Sequence, residues 1–236
     1  MANTATLAVL TNIFTSPGEA FAAIKERPSP WLPLAAILLG YCAVSFLYLN
    51  AVDLPWLMDQ QLQQAGSDLT DEQRAQTVEA AAQIPSTVYA AIGAGASCFA
   101  ILIVFALVAL YYTGVSFATN NGIKYKQWFA LIAWCSLPIV FGLLAAIVFV
   151  LVSDVRFVAQ ESLNPLSFGN LLSIDPAGTP TLQRVLLSLD PTTIWSLVLS
   201  VFGYQAFTQR STVHSALVVL APLFVIVLLF TVLAML

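Results

Sequence analysis

Side chains able to carry out catalysis are few in this sequence and lie far apart. The only histidine is His214, and the three cysteines, Cys42, Cys98 and Cys135, lie inside apolar runs without the spacing of a metal site. A serine–histidine–acid arrangement is not suggested, because the acidic residues belong to other segments than His214. The sequence lacks both a phosphate-binding glycine–lysine loop and the paired-histidine motif of zinc peptidases. We therefore predict a protein that is not an enzyme and has no cofactor or metal, with His214 as a polar anchor.

The composition indicates that lipid surrounds much of the molecule. Of the 236 residues, 59% are hydrophobic and only 8% are charged, whereas about a quarter of the residues of a soluble domain are charged. The net charge is −4 and no basic cluster occurs, which argues against a nucleic-acid partner. No signal peptide is apparent, because the first apolar run is short and no basic residue precedes it.

Five long windows contain no charged residue and are continuous rather than alternating in hydropathy. Helices are the expected structure, since a helix satisfies its own backbone hydrogen bonds in lipid. A helix of 22 residues rises roughly 33 Å, enough for a hydrocarbon core of about 30 Å. We predict an all-α, polytopic bundle with spans at 31–52, 86–113, 128–152, 191–209 and 212–236, and expect Pro138 and Pro222 to be able to kink their helices.

Polar and small residues within these windows have a packing role in this interpretation. Coupled transporters usually carry charged groups near mid-membrane, and none is found here. The strongest intramembrane polar candidates are Asn50 and Gln205, which we expect to form interhelical hydrogen bonds. Small residues allow close approach of helices, either within one chain or at a dimer face; the candidates are Gly40, Gly93, Gly95, Ser97 and Gly142.

Basic residues predict the orientation of the bundle. The loops 53–85 and 153–190 contain three basic and ten acidic residues, whereas the other connecting segments contain five basic and two acidic ones. Under the positive-inside rule the two long loops are external, the amino terminus is cytoplasmic and the carboxyl terminus is periplasmic. The residues expected at the membrane interfaces are Phe21, Lys25, Arg27, Trp31, Lys124, Lys126, Trp128, Arg210 and His214.

Residues 1–30 precede the first span, and a short amphipathic helix is expected there. Ser16 and Glu19 have the spacing of a capping box, with Pro17 at the first helical position. Pro28 and Pro30 prevent continuation of the helix. Its apolar face either lies on the cytoplasmic leaflet or docks against the protein's own loops, and this face consists of Phe14, Pro17, Phe21 and Ile24.

The two external loops are predicted to contain helices of their own. In the first loop, Pro55 can begin a helix that Gly66 ends, and Thr70 with Gln73 forms a capping box for a helix reaching about Gln83. In the second loop, a short helix should rest on the outer leaflet or on the bundle through Leu182, Val185, Leu186 and Leu189. Between the last two spans, Ser211 or Thr212 should cap the final helix.

With the spans placed, the chain resembles the Yip family of five-span membrane proteins, which is named for interaction with Ypt/Rab GTPases, and in particular its bacterial members. The resemblance is carried by FTSPGEAFAAIKERP, by GIKYKQWFALIAWCSLPIV and by the final segment that begins LDPTTIWSLVLSVFGYQAFTQRST. It implies a cytoplasmic amino terminus and five spans. Only about thirty residues precede the first span, so GTPase binding is not carried over.

Three functions are compatible with these patterns. The favoured hypothesis is a non-enzymatic protein of the bacterial inner membrane that organises the bilayer, copies of itself or other membrane partners, with an accessory role in a membrane transport complex left open. The alternative is a small permease or channel for a neutral or lipid-like substrate, through a groove lined by Asn50, Ser97, Ser136 and Gln205. An intramembrane enzyme is disfavoured, because acid–base residues are missing from the spans.

Overall fold

The computed structural model describes residues 2–64, 69–174 and 181–233, and within these residues every regular element is helical. A single 3₁₀ turn lies at Gln160–Ser162. The α-helices in chain order are α1 (Ala2–Thr15), α2 (Pro17–Glu26), α3 (Trp31–Ala51), α4 (Leu54–Gln64), α5 (Asp71–Ala82), α6 (Ser86–Thr119), α7 (Tyr125–Cys135), α8 (Ile139–Val152), α9 (Phe168–Leu171), α10 (Thr181–Ser188), α11 (Pro191–Thr208) and α12 (Thr212–Leu233).

Two helices, α3 and α6, are individually long and apolar enough to cross a membrane, and the pair α7 and α8 counts as a third if it forms one bent span. The helix predicted for 86–113 continues to Thr119, because the residues after 113 are also mostly apolar. It ends where Asn120 adopts a left-handed backbone conformation. Helices α11 and α12 follow as a helical hairpin, in which Ser211 accepts a hydrogen bond from the backbone of His214. This contact confirms Ser211 as the cap.

The window 128–152 is divided rather than continuous. Helix α7 ends at Cys135, α8 begins at Ile139, and the two axes differ by 46°. Pro138 explains the break, since it has no backbone N–H for the helical ladder and its ring conflicts with the preceding turn. The kink considered for Pro138 is therefore present, but as a break between two helices.

The amino-terminal segment contains two helices where the sequence suggested one. Helix α1 is joined to α2 through Ser16 alone. The predicted capping box at Ser16 is wrong: the Ser16 side chain makes no capping hydrogen bond, and the Glu19 carboxylate accepts one from Asn12 instead. The reason is that Ser16 continues from a preceding helix, so its backbone (φ −145°, ψ 64°) is not in the extended conformation that a capping side chain requires.

The loop helices follow their sequence signals closely. Thr70 and Gln73 form the predicted reciprocal capping box at the start of α5. Helix α4 begins at Leu54 with the Asp53 carboxylate accepting from the backbone of Trp56, while Gly66 lies outside the described residues. In α10, Leu187 is buried whereas Leu186, which was predicted to pack, is 54% exposed. The face of α10 that packs on the protein is therefore displaced by one residue from the predicted face. The side chains of Leu182 and Val185 lie outside the described residues.

Two hydrophobic clusters lie at opposite ends of the bundle. The larger, here the aromatic core, is centred on Trp128, Tyr112, Tyr204 and Phe207 near α2 and the 120–124 turn. The smaller lies beneath the two long loops and includes Tyr48, Leu57, Val155 and Leu163. Between this loop end and the aromatic core the helices separate enough to leave a cavity.

Candidate functional site

A cavity of about 740 Å³ opens among α3, α6 and α8 at the loop end of the bundle. This volume is within the range of small-molecule pockets. Its walls are largely aliphatic, with Ile101, Ile139, Leu143 and Ala146 among them. Ile92 lies at its edge and is 66% exposed, so the cavity is continuous with the apolar outer surface of α6.

One wall of the cavity contains a buried carboxylate, Asp190, which is only 6% exposed. One oxygen accepts hydrogen bonds from the Thr192 hydroxyl at 2.6 Å and from the Thr193 backbone N–H at 2.8 Å. The other accepts from the Asn164 amide at 2.6 Å. Asp190 therefore caps α11 and connects it to the second long loop, and every hydrogen-bond donor in this set is neutral.

Asp190 lies deep in the bundle although the sequence analysis counted it with the second long loop. A Cβ atom added to Gly142 would lie 3.7 Å from an Asp190 carboxylate oxygen and 3.1 Å from the Thr192 hydroxyl. Gly142 precedes the end of α8 at Val152 by ten residues, which corresponds to about 15 Å along a helix. The chain after the second long loop thus begins α11 well below the loop end of α8.

Hydroxyl groups from α3 and α6 complete the polar part of the cavity. The Ser45 and Ser97 hydroxyls are hydrogen-bonded to each other at 2.9 Å across the α3–α6 interface. Tyr41 also lines the cavity, close enough to Asp190 for the hydroxyl and the carboxylate to interact electrostatically. Among the described residues, none forms a hydrogen bond with the Tyr41 hydroxyl. Of the described residues that line the cavity, two are acidic, Glu161 and Asp190, and none is a lysine, arginine or histidine.

The helix-packing candidates occupy two kinds of environment. Gly40 lies against Leu143 of α8, and Gly93 lies against the side chain of Leu49 in α3, so these two glycines permit close helix contacts inside the chain. Ser97 belongs to the same α3–α6 contact, and Gly142 faces the start of α11. Gly95, in contrast, has nothing within 4 Å of an added Cβ atom.

The predicted groove through Asn50, Ser97, Ser136 and Gln205 does not form. Only Ser97 lines the large cavity. Asn50 lies at the end of α3, where its side chain bonds Phe46 and Ser86. Gln205 lines a separate cavity of about 370 Å³ beside α2, and its amide oxygen accepts from Thr212. The prediction failed because polar residues in different helices need not lie at the same depth in the bundle.

Two residues assigned to the membrane interface are interior residues of the protein. Phe21 is buried in the core, so α2 docks its apolar face, together with Ala20 and Ile24, on the protein itself. Trp128 is 0% exposed, stacks on Tyr204 at 5.3 Å and donates to the Ser116 hydroxyl at 2.7 Å. Helix α2 covers this end of the bundle, and a tryptophan that would otherwise meet lipid headgroups is enclosed.

The remaining interface candidates lie at the same end of the molecule. The Lys25 ammonium donates to the backbone carbonyl of Phe207 at 2.6 Å, in the last turn of α11. Gln127 donates to the Lys25 carbonyl, which ties α2 to α7. Trp31 is 74% exposed. The charged groups that remain are also exposed: Arg27, Lys124, Lys126 and Arg210.

No catalytic or metal-binding group emerges among the described residues around His214 and the cysteines. His214 packs beside the Tyr204 ring, and its Nε2 atom is buried without a hydrogen-bond partner in the described chain. The described part of the chain contains no cluster of three or more histidine, cysteine, aspartate or glutamate side chains that could hold a metal ion. The three cysteines are free thiols.

Sequence reasoning missed Asp190 because it was counted with the acidic residues of an external loop. A local signal was present: an aspartate followed by proline and two threonines is a typical helix start. That pattern predicts a cap, but not the depth at which the cap lies.

Comparison with known proteins assigns the chain to a family. Searches among curated proteins and among solved structures found no match. The family model described as the Yip1 domain matches residues 11–234, which is nearly the whole chain. The apolar helices of the structure agree with an integral membrane location. This all-helical integral membrane protein therefore belongs to the Yip1 domain family.

Proposed function

We propose that the chain crosses the membrane five times, through α3, α6, the bent α7–α8 pair, α11 and α12. Exposed apolar side chains on all five elements support this proposal. Examples are Leu39 on α3, Leu107 on α6, Leu144 on α8, Phe202 on α11 and Leu217 on α12. So much contiguous apolar surface is unfavourable in water but suits contact with acyl chains.

The orientation that best fits this arrangement places α2 and the 120–124 turn in the cytoplasm and the two long loops outside. The exposed cations Arg27, Lys124, Lys126 and Arg210 all lie at the α2 end, as the positive-inside rule requires. In this proposal the protein is a bacterial-type family member of the inner membrane, with its carboxyl terminus in the periplasm. Residues 1–30 form the cytoplasmic lead-in, and 31–236 form the membrane domain.

Within that topology, the proposed function is non-enzymatic organisation of membrane partners, of which a second copy of the chain is one. Helix α6 carries two neighbouring stripes of small residues that differ in their surroundings. The Gly93–Ser97 stripe is used inside the chain against α3, whereas Ala91 and Gly95 are exposed one turn apart. An exposed stripe of this kind allows another helix to approach closely, and this observation carries the proposal.

Cross-linking in native membranes tests this function. A Gly95→Leu substitution should reduce by several-fold the yield of a specific cross-linked product, because the larger side chain separates the two helices. Leu107→Phe is the control: it also enlarges an exposed side chain of α6, but the residues one turn before and after it, Ile103 and Tyr111, are large. Equal cross-linking of parent, Gly95→Leu and Leu107→Phe proteins, or none at all, would refute the proposed contact.

The large cavity favours a second candidate function, that of a small permease for a neutral or lipid-like substrate. It opens toward the apolar surface of α6 at Ile92, where a molecule could enter from the bilayer. Flux of lipid-like substrates into liposomes would be measured for the parent protein and for Ala96→Phe, which narrows the cavity. Ala118→Phe is the control, because Ala118 is exposed on α6 but does not line the cavity. Flux that Ala96→Phe alone abolishes would favour this candidate over a scaffold.

A further inference from the structure

We propose that the cavity at the loop end binds a cationic amphiphile, meaning a molecule that joins a protonated primary amine to an apolar chain. This inference concerns a ligand and a binding site, and it stands apart from the question of whether the protein organises partners or moves solutes. It depends on three features of the cavity: its charge, its apolar walls and its uncommitted polar atoms.

The negative charge in the cavity determines the sign of the charge on the ligand. Asp190 is nearly completely buried, and its hydrogen-bond partners, Asn164, Thr192 and the Thr193 backbone, are neutral. Among the described residues that line the cavity, none is basic. A buried carboxylate is stabilised by an opposite charge much more strongly in this apolar setting than in water. A cationic group is therefore the complement of the site, and an anionic one is repelled.

The walls determine the rest of the ligand. Much of the surface is apolar, with aliphatic side chains from α3, α6 and α8, and the exposed Ile92 at the edge leads to the outer side of α6. A hydrated inorganic cation would gain nothing from such walls, and the described residues contain no carboxylate cluster suited to a metal ion. An amine attached to an apolar chain fits both parts of the cavity and can reach it laterally from the bilayer.

The oxygen atoms that line the same cavity as Asp190 suit an ammonium group. An ammonium has three N–H donors and no acceptor, so it needs several oxygen atoms close together. A carboxylate can accept about four hydrogen bonds, and three are used here. The Tyr41 hydroxyl lines the same cavity without a hydrogen-bond partner in the described chain, and the Ser45–Ser97 pair provides further oxygens.

A matched pair of fluorescent probes tests the proposal. N-dansyl-1,10-diaminodecane carries a protonated amine on a ten-carbon chain, and N-dansyl-decylamine has the same chain and fluorophore without the amine. Energy transfer from the protein's tryptophans to dansyl would be titrated in nanodiscs of neutral lipid, with empty nanodiscs as the blank. We expect the parent protein to bind the cationic probe at least tenfold more tightly than the neutral one.

Substitutions then assign that selectivity to the cavity. Asp190→Asn retains the shape and the cap of α11, since asparagine caps helices as well as aspartate, and should lower the affinity for the cationic probe about tenfold, to that of the neutral probe. Asp154→Asn is the control, because Asp154 is an exposed carboxylate of the same loop whose pKa is lowered to about 2 by hydrogen bonds from Arg156. It should leave both affinities unchanged.

A second pair of variants keeps the test valid if Asp190→Asn fails to fold. Ala96→Phe, which narrows the cavity, should abolish binding of the cationic probe, whereas Ala118→Phe, at an exposed residue of α6 outside the cavity, should not. Equal affinities of the parent for the two probes, absence of binding to the parent, or selectivity that survives both Asp190→Asn and Ala96→Phe would each overturn the proposal.

Discussion

The aromatic core and the loop-end cavity share the long helix α6, yet they differ in packing. At the core, Trp128, Tyr204 and Tyr112 are in mutual ring contact, and the single indole N–H of Trp128 is satisfied by Ser116. At the loop end, the same α6 borders about 740 Å³ of space beside a buried charge. The difference indicates that one end holds the helices together while the other is available to a ligand.

This division predicts that substitutions at the two ends have different consequences. Changes in the core should lower the free energy of unfolding, because tightly packed interiors do not relax around a missing or an added group. Changes that line the cavity should alter binding more than stability, since the space around them is already open.

Removal of the central ring of the core should have the largest effect. We expect Trp128→Ala to lower the free energy of unfolding by about 3–5 kcal/mol, since it removes a fully buried ring and leaves the Ser116 hydroxyl without its donor. Thermal unfolding in mild detergent measures this. Trp31→Ala, at an exposed tryptophan, is the control and should change the melting temperature little. Equal effects of the two variants would contradict the packing difference.

An added side chain in the core should also destabilise the protein. A Cβ atom at Gly203 would lie 2.6 Å from a Leu131 methyl group and 3.1 Å from the Phe21 ring. We expect Gly203→Val to cost about 1–3 kcal/mol, because α11 must move away from α2 and α7. Gly114→Val, in open surroundings on α6, is the comparison. A melting temperature of Gly203→Val equal to that of Gly114→Val would show that this contact is loose.

At the cavity, the cap should matter more than the charge for stability. We expect Asp190→Ala to lower the free energy of unfolding by about 1–2 kcal/mol, because α11 loses its cap and the half-buried Asn164 amide loses its acceptor. Asp190→Asn should cost less, about 0.5–1 kcal/mol, since asparagine keeps the cap of α11 through its one oxygen but no longer accepts from Asn164. A large loss in both variants would mean that the carboxylate charge itself maintains the fold.

The smallest effect is expected at the junction of α2 with α11. Lys25→Met removes a cation from the carbonyl-rich end of α11 and should cost about 0.5–1 kcal/mol. Lys126→Met removes an exposed cation of the same end and should have no measurable effect on thermal unfolding. If the two variants behave alike, the Lys25 contact with Phe207 contributes nothing to the docking of α2.

Much of the fold could be predicted from residues with local signals. The Thr70–Gln73 capping box, the cap at Ser211 and the break at Pro138 all depend on nearby backbone and are visible in the sequence. Ser16 failed as a side-chain cap because the preceding helix α1 was not anticipated. The sequence signal for α1 was weak, since α1 has no acidic residue in its first turn and no basic residue in its last turn.

The candidate site was less predictable, because it depends on depth and on contacts between distant segments. Trp128 has the sequence position of an interface anchor, and its contacts with Tyr112 and Ser116 of α6 and with Tyr204 of α11 make it an interior residue. Asp190 has the sequence position of a loop residue, and only its contact with Gly142 and Asn164 shows that it lies deep in the bundle. Neither arrangement leaves a local pattern in the chain.

Labelling with a membrane-impermeant maleimide tests most directly the central claim that the core and the cavity face opposite sides of the membrane. Gln160→Cys places a thiol on an exposed residue at the rim of the cavity, and Lys126→Cys places one on an exposed residue beside the core. The parent protein measures the background from its native thiols. The account predicts that spheroplasts label Gln160→Cys at once and Lys126→Cys only after permeabilisation. Labelling of both, or of Lys126→Cys alone, before permeabilisation would contradict it.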